Sequence, residues 1–239
     1  ITAGGNFNVT VGDEAGTAIT TGDNNTAVGK DALKTNITGS QNVAIGSEAL
    51  SLNTTNNNTA VGFYALKVNS SGTGNVALGY ASLDANTTGS NNTAVGADAL
   101  TANTTGQRLV AVGTTALDAN TTGQRSTAVG YATLSTNTEG NYNTALGDIA
   151  LQYNTTGDYN TGIGMGALEA NTTGDNNTAV GAESLDANTT GHSNVAVGKS
   201  ALTANTTAAN NTAIGNDALL TNTTGAQNTA VGKQALMRS

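Results

Sequence analysis

Asn92-Thr93-Ala94-Val95-Gly96-Ala97-Asp98-Ala99-Leu100-Thr101-Ala102-Asn103-Thr104-Thr105-Gly106 is a phrase that the chain says over and over. The glycine that closes each Thr/Val-Ala-Val/Ile/Leu-Gly tetrad falls at positions 12, 29, 46, 62, 79, 96, 113, 130, 147, 164, 181, 198, 215 and 232. Twelve of the intervals are 17 residues and one, Gly46 to Gly62, is 16. A fixed short period over a whole chain is the signature of stacked repeats, and it outranks any local reading.

Composition agrees. Of the 239 residues only 3% are aromatic and 10% charged, and Pro and Cys are both absent. So low a charge does not suit a disordered tail, and regularly placed Leu, Val and Ile do not suit a linker. Without Cys there is neither a disulfide staple nor a thiolate metal site. A net charge of −8 with eight basic residues argues against a nucleic-acid partner, because phosphate binding relies on clustered Lys and Arg. No apolar run approaches the length that crosses a membrane, so membrane insertion is not expected.

Counting each anchor glycine as place one, Leu fills the fifth place from Leu33 to Leu236. Asn fills the eighth: Asn36, Asn53, Asn69, Asn86, Asn103, Asn120, Asn137, Asn154, Asn171, Asn188, Asn205 and Asn222. A glycine usually closes the Asn-Thr-Thr-Gly turn, with Ala208 an exception, and the short unit loses its residue between Thr55 and Asn58, inside that turn. Residues 1–28 read as a lead-in and an irregular first coil, with Gly16 in the Leu place and Ile19 in the Asn place. Residues 29–239 read as one continuous array, and its last unit stops at Leu236, before its turn, as a fragment of a longer fibre would.

Seventeen residues are too few for a helix pair. The tetrads carry β-favouring residues alternating with period two, and a second short strand is expected near Ala49-Leu50-Ser51-Leu52. Two strands and two turns make one coil of a parallel β-solenoid, so the fold class is all-β, with about 14 coils. At ~4.8 Å per coil this gives a rod of roughly 65 Å. A lone coil cannot repay the entropy of ordering its backbone with one Leu and one Val, so only stacking stabilises it. Stacking also puts identical side chains in columns. The eighth-place asparagines are expected to form an amide ladder. A second Asn column (Asn42, Asn75, Asn92, Asn143, Asn177), broken at Leu109 and Ser126, is expected to brace its own turn through Asx-type bonds.

If Ala and Gly line a thin interior, the flanking strand residues point away from it: Val43 and Ile45, Thr93 and Val95, Val110 and Val112, Val195 and Val197. A stripe of that kind exceeds what a soluble monomer leaves bare, and three copies around one axis would bury it. The expected partners are therefore further copies of the chain, as a trimer or filament. The competing geometry puts Val and Leu inside a fatter coil and Ala outside.

Asn42-Val43-Ala44-Ile45-Gly46 and Asn194-Val195-Ala196-Val197-Gly198 resemble the Asn-Ser-Val-Ala-Ile-Gly repeats in the heads of YadA-type trimeric autotransporter adhesins. The full Asn-Thr-Ala-Val-Gly…Asn-Thr-Thr-Gly unit is similar to arrays in phage tail-fibre-like and bacterial surface-fibre proteins. The resemblance covers about residues 8 to 236. It implies a left-handed, three-chain β-roll and an extracellular, cell-surface or virion location, with attachment to a cell-surface or glycan receptor as the role. The period departs from the shorter coil of the adhesin heads.

Nothing in the sequence points to an enzyme. His192 occupies a variable turn place and reads as exposed. Acidic residues (Asp13, Glu14, Asp31, Glu48, Asp98, Asp175, Glu183, Asp217) read as scattered without a recurring column, which leaves no seat for paired-carboxylate catalysis or repeat calcium binding. No catalytic, cofactor or metal residue is expected. The Asn-Thr-Thr sequons read as a by-product of the turn. Tyr64, Tyr80, Tyr131, Tyr142 and Tyr159 read as exposed rim residues, with a sugar-contacting strip as the sharper alternative. A second functional class is an ice-binding solenoid that uses the paired Thr of the ninth and tenth places, such as Thr104-Thr105 and Thr172-Thr173; Ile37, Ser70-Ser71 and Glu139 interrupt these columns.

Overall fold

A computed structural model describes residues 6–237, so residues 1–5 of the lead-in and Arg238 and Ser239 lie outside it. The chain divides into two compact units, Ile1–Thr122 and Gly123–Ser239. In the first, seven three-residue strands run β1 (Val9–Val11), β2 (Thr26–Val28), β3 (Val43–Ile45), β4 (Thr59–Val61), β5 (Val76–Leu78), β6 (Thr93–Val95) and β7 (Val110–Val112). In the second they run β8 (Thr127–Val129), β9 (Thr144–Leu146), β10 (Thr161–Ile163), β11 (Thr178–Val180), β12 (Val195–Val197), β13 (Thr212–Ile214) and β14 (Thr229–Val231). Within each unit every strand pairs in parallel with the next in sequence, and equivalent residues align, as Thr93 does with Val110 and Thr178 with Val195. Across the short interval Val43 still aligns with Thr59. The described chain is thus a parallel β-solenoid with one strand per coil, and no helix occurs among the described residues.

The interior is Ala, Leu and Asn. The central Ala of nearly every strand and the fifth-place leucines from Leu33 to Leu219 are fully buried, or nearly so, while Leu236 in the last described coil is exposed. Flanking strand residues face outward and Ala inward, as the thin coil requires, but Leu also fills the interior, as only the fatter coil expects. In the first coil the glycine at 16 leaves a gap, and Ile19, 3% exposed, reaches into it.

The expected second strand is absent. Ala49–Leu52 is a run of turns in which left-handed residues alternate with right-handed ones: Glu48 has φ 58° and Leu50 φ 51°. Leucine in this region costs roughly 1–2 kcal/mol. What offsets the cost is axial hydrogen bonding. The Leu100 N–H donates forward to Ala116 O (3.0 Å), and the third-place N–H of Asp98 donates back to Tyr80 O (2.9 Å). Like the strands, this alternation aims the N–H groups along the stack, and it does so while the chain turns.

Close stacking explains the invariance of the anchor glycines. Gly96 has φ 134°, and a Cβ there would lie 2.5 Å from Gly113 O, so both conformation and space exclude any other residue.

Within each unit the amide ladder forms, with one rung missing among the described residues. In the first unit Nδ2 of Asn69, Asn86, Asn103 and Asn120 donates to Oδ1 of the asparagine one coil earlier at 2.8–2.9 Å. In the second unit Asn154, Asn171, Asn188 and Asn205 do the same at 2.7–2.9 Å. Each missing rung has a cause. In the 16-residue coil Asn53 Nδ2 turns to Thr55 O, two residues on, and Asn36 Oδ1 is left without a partner. At Ala208, where its neighbours have glycine, a Cβ enters the space of the coil's own Asn Oδ1; at Gly174 an added Cβ would lie 2.5 Å from Asn171 Oδ1. Asn205 Oδ1 is accordingly unpaired, and Asn222 donates only to Gly225 O (2.8 Å).

The second Asn column does not brace its own turn. Asn75 Oδ1 accepts the backbone N–H of Asn92 (3.0 Å), and Asn92 Nδ2 donates to Gly106 O (2.9 Å), both in the following coil. Gly106 O also accepts from Asn103 in its own coil (3.2 Å), so each turn is clamped from two sides. Ser126 substitutes in this column by accepting from Asn143 N (3.1 Å), while Leu109 only donates its backbone N–H to Asn92 Oδ1 (3.0 Å).

Replacing Asn103 by Leu strips Asn86 Oδ1 of its donor and Asn120 Nδ2 of this acceptor inside a dry column. We expect a loss of about 2–4 kcal/mol, read as a lower denaturation midpoint and faster amide exchange around the lesion. Thr105→Ala, on the exposed side of the same turn, should stay within about 0.5 kcal/mol of the parent.

Candidate functional site

Three surfaces offer chemistry to a partner. The first is the outward strand face. Places 15 and 17 of every coil hold only Thr, Val, Ile or Leu, from Val9 and Val11 to Thr229 and Val231. Of the residues expected to form the assembly stripe, Val43, Thr93, Val95, Val110, Val112, Val195 and Val197 are half-buried and Ile45 is 41% exposed. In each unit the parallel register lays them out as two uncharged ranks, one Thr-rich and one Val-rich. The ninth-place rank is uncharged as well, Thr except at Ile37 and Ser70, whereas the second, third, sixth, twelfth and thirteenth places carry charge or wide variation.

The second is the Thr turn. The ninth-place hydroxyl is consumed along the stack: Thr104 Oγ1 donates to Thr121 O and Thr172 Oγ1 to Thr189 O, both at 3.0 Å. Tenth-place residues such as Thr105 and Thr173 are exposed, while the ninth-place Thr104 and Thr172 are half-buried. The eighth-place Asn of each Asn-Thr-Thr sequon is buried with its amide engaged, so the folded chain offers no acceptor there. His192 is exposed and meets only Ser193 Oγ, at 3.4 Å.

The third surface corrects the reading of the acidic residues as scattered. Glu14, Asp31, Glu48, Asp98, Glu183 and Asp217 all stand at the third place, and Asp84, Asp118, Glu169 and Asp186 at the sixth. The coil brings these two places together, within one coil and with the next. Lys34 bridges Glu14 and Asp31 (3.0 Å to the latter), and Lys67 meets Glu48 at 2.9 Å. Both lysines are pushed above their ordinary range, chiefly by these hydrogen-bonded carboxylates. Asp31, Lys34, Thr35, Glu48, Ser51, Leu52 and Lys67 line a shallow groove of about 260 Å³ in the first unit, already filled with its own ion pairs. The columns were missed because each alternates acids with other residues; indexing every acid by its place in the coil would have found them.

Where no lysine forms an ion pair, the sixth-place acids stand half-buried, and one carboxylate oxygen each of Asp84, Asp118 and Asp186 has no hydrogen-bond partner. Burial pushes all three carboxyls up from the ordinary 3.8. Asp98 adds to the effect on Asp118, and Glu183 and Glu169 to that on Asp186. Recurrence alone makes no metal site, and among the described residues no three His, Asp or Glu side chains converge as cation ligands.

Since folding raises these pKa values, the protonated acid is the form that folding favours. Its contribution to stability is full below 3.8 and is lost as pH rises through the raised value. Asp118→Asn and Asp186→Asn should therefore raise the unfolding midpoint near pH 7, and the gain should vanish at about pH 3, which parallel thermal melts check directly.

Compared with known proteins, the chain matches no family model and no curated sequence.

Proposed function

We propose that this chain is a structural and adhesive fibre segment, a left-handed β-roll spacer of an extracellular surface adhesin or tail fibre, assembled as a homotrimer through its outward strand face. The observation that carries the reading is the outward pair of strand ranks, which hold only Thr, Val, Ile or Leu in every described coil. Apolar ranks of this length are costly to leave in water, and a copy of the same chain offers ranks of the same period. Among the described residues the interior is packed with Leu, Ala and laddered Asn. The resemblance to trimeric adhesin heads and fibre arrays supports the same reading.

The ice-binding alternative draws on the exposed tenth-place threonines. With the ninth-place hydroxyls spent on the next coil, it keeps a single thread of Thr per coil, and Glu139 interrupts that thread. A one-residue-wide thread is a poor match for a lattice plane.

Light scattering on the intact chain at micromolar concentration should give three times the chain mass. Val95→Lys combined with Val112→Lys puts unpaired charges where the copies meet, and at about 3–5 kcal/mol for such a lesion the assembly should fall apart into folded monomers. A monomeric parent would remove the trimer, and thermal hysteresis in the same sample would favour the ice-binding class.

A further inference from the structure

None of the described aromatic side chains is buried, in a chain that buries its leucines. Three of these rings gather in consecutive coils of the first unit. Lys67 Nζ lies 3.9 Å from the centroid of Tyr64, whose ring packs on Phe63 at 3.8 Å and 31°. Phe63 is followed by Tyr80 at 5.8 Å with the planes within 10°. The order is thus Lys67, Tyr64, Phe63, Tyr80. The 5.8 Å separation is too long for full face-to-face contact, so the last two rings are offset, and Tyr80, 55% exposed, ends the stack. Phe63 and Tyr80 both occupy the second place of their coils. The next coil has Ala97 there, which brings no ring to cover Tyr80.

In the following coil the Asp98 backbone N–H is fixed on Tyr80 O (2.9 Å), and among the described residues its carboxylate makes no hydrogen bond or ion pair. The other ring stack is different. Tyr142 and Tyr159 lie face to face at 4.8 Å and 8°, Arg125 sits over Tyr142 and donates to its hydroxyl, and the following coil brings the polar Asn176.

We propose that Tyr80, with the Asp98 carboxylate as acceptor, is a seat for one pyranose ring of a neutral or amino-bearing glycan chain. The inference rests on the attachment role proposed above and gives it a partner. A pyranoside offers a flat C–H face to an aromatic ring, and hydroxyl donors on its rim pair with a carboxylate. An aromatic peptide would use the ring and leave the acceptor idle. Charge selects further: Glu48 and Asp84 lie close to Lys67 at the start of the stack, Asp98 follows Tyr80 at its end, and Lys67 is engaged by Glu48 and Tyr64. A polyanionic glycan is repelled. One such plate binds weakly, and a repeating glycan meeting several copies gains by avidity.

The test is saturation-transfer NMR with calorimetry on the full chain, with dextran, galactomannan, chitosan oligomers and alginate as probes. A neutral or amino-bearing probe should bind with Kd on the order of 1 mM, and Tyr80→Ala or Asp98→Asn should weaken it about tenfold. Tyr131→Ala removes a second-place ring that is 59% exposed and stacked on no neighbour, and should leave binding unchanged. Binding of none of the probes, alginate binding as well as the others, undiminished binding by Tyr80→Ala, or preference for a phenylalanine-rich peptide would each overturn the seat. Scattering mass on the same samples separates the two ideas: an assembled chain that ignores glycans loses the seat alone, and a monomer that binds them loses only the trimer.

Discussion

Each residue within a unit sits on its own equivalent one coil away, and the backbones approach so closely that an anchor position tolerates no Cβ. Everything else follows from that constraint. A group inside so thin a coil has no water and almost no sideways partner, so its hydrogen bonds must run along the stack. The strands meet this need with an ordinary parallel ladder. The rest of the coil meets it by less usual means: left-handed leucines that turn their N–H groups forward, ninth-place threonines that bond the next turn, and two asparagine columns. Apolar burial is modest per coil, with one Leu and two or three Ala, so axial polar pairing carries a larger share of specificity than in a globular core.

Much of this was legible in the sequence because periodicity reports directly on stacking. The anchor glycines, the buried leucines and alanines, the outward Thr and Val, and the eighth-place ladder all follow from one index along the chain. What was not legible depended on backbone states that residue types do not advertise. Leucine has no preference for the left-handed region, so Ala49-Leu50-Ser51-Leu52 reads as a strand; only the positions of neighbouring carbonyls make the turn run favourable. The second Asn column was assigned to its own turn because Asx bonds are the local habit of asparagine. Its partners are 14 and 17 residues away, and no local rule points to them.

The surfaces divided in the same way. The uncharged strand face could be read from alternation alone. The third- and sixth-place acids and lysines were hidden by their interleaving with neutral residues, although their pairing across coils follows the same period. The contrast between Tyr80 and Tyr159 lies deeper still, since it depends on what the following coil does or does not bring over the ring.

The shortened coil between Gly46 and Gly62 shows what such a design permits. Thr55 takes over the task of the missing turn glycine: its carbonyl accepts from Asn42 (2.7 Å) and Asn53 (2.8 Å), and both flanking strands keep their register. The acceptor in this join is thus a main-chain carbonyl that every amino acid owns, met by the same two asparagine columns. A coil behaves as an interchangeable part, and recombination between near-identical gene segments can delete or duplicate whole coils while the cut ends still fit. Reach then becomes a heritable variable that can change in steps of one coil without the invention of a new contact.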